Sequence, residues 1–111
     1  MSVVTGITIV SQSCDDGNEG IGLLVQRLNE WISNDPPCGG GKLIRVDELY
    51  GGGKHPENFV WGGGFNYLSW NEFIEFAQIL PWKATLTLPE EQRVIMIVSP
   101  DQQLAQVVYL A

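Results

Sequence analysis

Two segments of this chain carry apolar residues at helical spacing, and its remaining apolar residues fall in strand-like runs, which restricts the fold to two helices and a sheet. In the first segment Ile21, Leu24, Val25, Leu28 and Ile32 recur at i, i+3, i+4 and i+7. Asp15, Asp16 and Glu19 lie near its start, where negative charge suits the helix dipole. Asn34-Asp35-Pro36-Pro37 ends it, because residues before proline avoid helical backbone. In the second segment Ser69 and Glu72 stand as the N-cap and N3 of a capping box, with Leu68 and Phe73 at the staple positions. Trp70, Phe73, Ile74, Ala77 and Leu80 carry the stripe to Pro81, which stops it. Phe76 and Ile79 lie off the stripe, so this helix is apolar on more than one face and is either sandwiched or partly open to a partner.

The strand candidates surround these helices. Val3 to Val10 is rich in Val, Ile and Thr, with Gly6 placed for a bulge. Leu43 to Tyr50 reads as a second strand and Phe59 to Trp61 as a short third. The last third predicts a three-strand meander. Trp82, Ala84, Leu86 and Leu88 alternate with Lys83, Thr85 and Thr87, as in a strand with one wet face. Val94 to Val98 is continuously apolar, as in a strand covered on both faces, and Leu104 to Leu110 closes the chain. The expected order is β-α-β-(β)-α-β-β-β, an α+β fold with a mostly antiparallel sheet of roughly four to five strands and helices on one face. A length of 111 residues predicts a single domain over 1–111, within the usual range of about 100–150. Three glycine triplets, Gly39–Gly41, Gly51–Gly53 and Gly62–Gly64, read as hinges or wide turns where the backbone needs positive φ or a close approach.

Charge narrows the partners. Thirteen carboxylates against six Lys and Arg give a net charge of −7. Such a surface repels phosphate backbones and anionic membranes, so neither a nucleic acid nor a membrane is expected, and it favours a basic protein partner. Only 17% of residues are charged, below the typical figure of about 25%, which leaves apolar surface for contact. The first ten residues lack the basic stretch of a secretory signal, and no apolar run reaches the roughly 18 residues of a bilayer span, so a cytoplasmic protein is expected. Cys14 and Cys38 flank a helix of about 15 residues, whose ends lie about 22 Å apart. Disulfide Cα atoms approach within about 7 Å, so both are read as free thiols.

The sequence offers few catalytic constellations. Residues 14–22, CDDGNEGIG, sit where a phosphate loop would, but their glycines fall as G-x-x-G-x-G and three carboxylates would face the phosphate. The same loop fails the EF-hand pattern, with Gly17 at position three and Gln26 at twelve when counted from Asp15. Cys38-Gly39-Gly40-Gly41-Lys42 lacks the Ser or Thr of a Walker loop and follows a helix. The only histidine is His55, which with Cys38 gives a candidate thiol–base dyad and supplies no zinc ligand set. Asp47 and Glu48 point to opposite faces of a regular strand and cannot share a proton. No metal or cofactor is expected.

What remains is Tyr50 to Trp70, with six aromatics and two glycine triplets. Aromatics on adaptable loops are common materials of a recognition surface, so Tyr50, His55, Glu57, Trp61, Phe65 and Tyr67 are the candidate partner-binding residues. The competing reading places Phe59, Trp61, Phe65 and Tyr67 in the core. The leading expectation is a non-catalytic binding protein of inhibitor or immunity type that masks a basic partner. The alternative is a small-molecule-binding or sensory domain with a pocket lined by Trp61, Trp70 and Trp82, followed by a small Cys38/His55 enzyme. A homo-oligomer or a subunit of a larger assembly stays open.

Overall fold

The computed structural model describes residues 4–12, 20–34, 41–47, 58–86 and 88–111. Within them the chain runs β1 (Val4–Ser11), α1 (Ile21–Ser33), β2 (Ile44–Arg45), β3 (Phe59–Asn66), α2 (Trp70–Gln78), β4 (Val94–Ser99) and β5 (Gln106–Tyr109). The five strands form one sheet in the order β2-β3-β1-β4-β5, and every neighbouring pair is antiparallel. The fold is α+β, with two helices as the periodicity requires.

Alternation along the strands decides where the core sits. In β1, Thr5, Ile7, Ile9 and Ser11 are buried and the residues between them are not. Register carries that face outward: Thr5 pairs with Phe65, Ile9 with Trp61 and Met96, Ile7 with Val98, and Ser11 with Val94. Those partners join Ile21, Leu24, Val25, Leu28 and Ile32 of α1 and Phe73 and Ala77 of α2 in one cluster. Both helices therefore cover the same face, and each fully buried aliphatic or aromatic side chain there contributes roughly 1.5–3 kcal/mol. The helices touch through Trp31, whose ring lies 5.6 Å from Phe73 and stacks on Phe76 at 6.2 Å.

Three local expectations change in the folded chain. The strand beginning at Phe59 continues through Gly62–Gly64 to Asn66, so this triplet is part of the sheet. The Phe65 ring fills the space a side chain at Gly63 would need: a methyl there would lie 2.8 Å from Phe65 Cζ and 3.2 Å from the Lys42 carbonyl. Only the first triplet shows positive φ among the described residues, at Gly41. Second, residues 82–86 are not a strand but a 3-10 turn at Lys83–Thr85 leading into extended backbone. The Thr85 hydroxyl donates to the Trp82 carbonyl at 2.7 Å, and Trp82 and Leu86, four residues apart, both turn into the core. Third, among the described elements both helices lie on one face of β4, and Ile95 and Ile97 on the other face are half-buried. Ser69 does occupy the N-cap of α2, but its hydroxyl does not close the cap.

Candidate functional site

The face of the sheet opposite the two helices spans all five strands. It follows from the pairing: Val4, Gly6, Thr8 and Val10 of β1 lie beside Asn66, Gly64, Gly62 and Val60 of β3 on one side. On the other side Ser99, Ile97 and Ile95 of β4 continue the face, followed by Val107 and Tyr109 of β5, while Ile44 extends it at β2. Among these described strand positions none is charged. Val107 is 56% exposed and Tyr109 69%, and Val4 and Ile44 are exposed as well. No described helix covers them. Charged residues lie elsewhere, with Arg27, Glu30, Glu72 and Glu75 exposed on the helices and Glu90, Glu91 and Asp101 exposed in the loops that flank β4. The face is uncharged and mixes Val, Ile and Tyr with Gly, Thr, Ser and Asn, and Val60 within it is buried; depletion of charge is a feature of contact faces.

The β2 edge is built differently. Asn29 of α1 holds the backbone of Leu43 at both groups, accepting its N–H at 2.7 Å and donating to its carbonyl at 3.2 Å. Buried Asp47 accepts the Val60 N–H at 3.1 Å and pairs with Arg45, whose guanidinium lies 4.2 Å from the centre of the Phe59 ring. Burial pushes the Asp47 carboxyl up, but the hydrogen bond from Arg45, the Val60 amide and the Arg45 charge outweigh it and hold the group below its usual range. Asp47 therefore serves as a structural anchor. Between α1 and β2 a cleft of about 470 Å³ is lined by Gln26, Asn29, Lys42, Leu43, Arg45 and Trp61, among others.

The chain matches no family model, no curated protein and no solved structure.

The candidate residues therefore stand on geometry alone, and the structure separates them. Trp61 and Phe65 belong to the core, because they sit on the helix-facing side of β3, although Trp61 also lines the cleft between α1 and β2. Tyr67 stays half-exposed just after β3, on left-handed backbone with φ of 54°, an uncommon position for a bulky side chain. Tyr50, His55 and Glu57 lie outside the described residues, as do Cys14, Cys38, Asp15, Asp16 and Glu19. Among the described residues the three tryptophans sit in different surroundings. Trp82 is fully buried with its indole N–H donated to the Ala77 carbonyl at 2.6 Å, while Trp61 and Trp70 line separate clefts. Among the described residues no group of three His, Cys, Asp or Glu could hold a metal ion, and no helix is long and apolar enough to cross a membrane.

Sequence reasoning missed the open face, although its signal was present. Val94–Val98 is apolar at every position, and both helices were expected on one side of the sheet. Together these leave an apolar face with nothing assigned to cover it.

Proposed function

We propose that this chain is a non-catalytic protein-binding domain, of inhibitor or immunity type, that meets a basic protein partner through the open face of its sheet. The observation that carries this reading is the absence of charge at every described strand position of that face, in a chain of net charge −7. Charge and contact then divide the work. The acidic remainder of the molecule draws a basic partner in, and the apolar face excludes water once the two meet. Thr8 and Ile97, adjacent in register, mark the middle of that contact.

The test compares capture of partner by the wild-type chain and by two variants. Thr8→Lys places a charge on the open face, and Glu30→Lys changes charge on the outer side of α1. A stoichiometric protein retained by wild type and Glu30→Lys but lost by Thr8→Lys supports the reading, and association should slow as salt rises. Equal retention by Thr8→Lys would move the contact off the sheet.

A second reading, a small-molecule-binding domain, draws on the cleft between α1 and β2, where Lys42, Gln26, Asn29 and Arg45 share the lining with the apolar Val25, Leu43 and Trp61. A saturable thermal shift with a metabolite, abolished by Lys42→Glu, would favour it over the protein-binding reading.

A further inference from the structure

Six Lys and Arg stand against thirteen carboxylates in this chain, yet two of the six, Lys42 and Arg45, line one cleft. That cleft, about 470 Å³ between α1 and β2, has no acidic residue in its lining. Its local charge is therefore opposite to that of the molecule as a whole.

The parts of the cleft are held in place before any ligand arrives. Asn29 grips both backbone groups of Leu43, which fixes the segment carrying Lys42 against α1. Arg45 donates two N–H groups to buried Asp47, and its guanidinium lies over the Phe59 ring. Groups fixed in this way need little further ordering on binding. Buried Val25, Leu43 and Trp61 supply an apolar wall. Gly22 of α1 also lines the cleft, where it adds no side chain to the space. Glycine is the least favoured helical residue after proline, so its place here opens room at the expense of the helix.

The uncommitted groups select the ligand. Among the described residues Lys42 makes no ion pair and Gln26 no hydrogen bond, and both are exposed. Arg45 is balanced by Asp47, which leaves Lys42 as the unbalanced charge of the cleft. One positive charge matches a monoanion. A dianion would carry a second negative charge, uncompensated, into a chain of net charge −7. Polar donors beside an apolar wall suit a ligand that is charged at one end and hydrocarbon at the other.

We infer that this cleft binds a small organic monocarboxylate with an apolar body. Its carboxylate pairs with Lys42 and accepts from the Gln26 amide, and its hydrocarbon lies against Val25, Leu43 and Trp61. The inference rests on the small-molecule reading, to which it gives a ligand class, and is independent of the partner reading.

The test titrates the full chain with four probes that share one body: phenylbutyrate, phenylbutyramide, phenylbutylamine and phenylbutyl phosphate. Amide NMR shifts of Gln26, Lys42 and Leu43 report binding at the cleft. Phenylbutyrate is expected to shift them saturably and to bind roughly five- to tenfold tighter than the amide, less so as salt rises. The phosphate binds more weakly than the carboxylate, and the amine does not bind. Lys42→Gln, an exposed substitution, removes the preference for carboxylate over amide. Gly22→Leu fills the cleft with a good helix former, so it raises the thermal midpoint and abolishes binding. An amide that binds as tightly as the carboxylate, a preference that survives Lys42→Gln, or a phosphate that binds tightest overturns the inference and leaves the small-molecule reading standing. Unchanged binding by Gly22→Leu, or saturable shifts confined to other residues, places the ligand outside the cleft and overturns it as well. No saturable shift with any of the four probes overturns the inference and the small-molecule reading together.

Discussion

Arg45 and Asp47 meet through two hydrogen bonds, Nε to Oδ1 at 2.9 Å and Nη2 to Oδ2 at 3.1 Å, and this pair ties the short strand β2 to its neighbour. Asp47 is buried and also accepts the Val60 amide. Replacing it by Asn keeps the shape but offers a donor where Arg45 already donates. The expected loss is about 1–2 kcal/mol at pH 7, trimmed by the exposed part of Arg45. Because the folded Asp47 carboxyl is held below its usual range, its contribution is complete above the unfolded carboxylate range, near pH 4, and is lost as pH falls through the lower folded value. Urea unfolding of wild type and Asp47→Asn should therefore converge in acid. A gap that stays constant well below pH 4 would contradict this role.

Neighbouring glycines of the third triplet should respond in opposite ways. Gly63→Ala drives a methyl into the buried Phe65 ring and the Lys42 carbonyl, at an expected cost of about 1–3 kcal/mol. At Gly62 the nearest atom to an added methyl is the Ile7 carbonyl oxygen at 3.7 Å. Gly62→Ala should stay within about 0.5 kcal/mol of wild type or stabilise the fold. Thermal melts of the two variants decide this, and equal effects would remove the packing argument.

Trp82 closes the end of α2 by donating its indole N–H to the Ala77 carbonyl. Trp82→Phe keeps most of the volume and removes the indole donor, leaving the Ala77 carbonyl the Leu80 N–H at 3.3 Å, for about 0.5–1.5 kcal/mol. Trp82→Ala also opens a cavity and should cost about 3–5 kcal/mol. Chemical denaturation of both variants separates the polar part from the packing part. If Trp82→Phe equals wild type, the hydrogen bond contributes nothing net.

The stacked Trp31 and Phe76 rings join the two helices. A double-mutant cycle with alanine at each position should return a coupling of about 0.5–1.5 kcal/mol. Additive single losses would mean that the rings share burial without interacting.

Much of the fold is legible in residue spacing. The stripes through Ile21–Ile32 and Trp70–Ala77 become α1 and α2, because helical periodicity is a local property of the chain. Val94–Val98 becomes β4 for the same kind of reason. Spacing failed at Trp82–Leu86, where the Thr85 hydroxyl bonding back to Trp82 competes with an extended chain. It also failed at Gly62–Gly64, since a glycine run resembles a turn until a neighbouring strand pairs with it.

The candidate site divides in the same way. Sequence alone determined the acidity, the two helices, the sheet and the supply of apolar residues, all of which are set by composition and local order. It could not say which aromatics are surface. Trp61 and Phe65 went to the core because register placed them on the helix-covered side of β3, while Ile97, Val107 and Tyr109 were left on the other side by the same pairing. Strand order and register are long-range choices, and a shift of one residue exchanges the two faces. That is why the open face belongs to the tertiary structure.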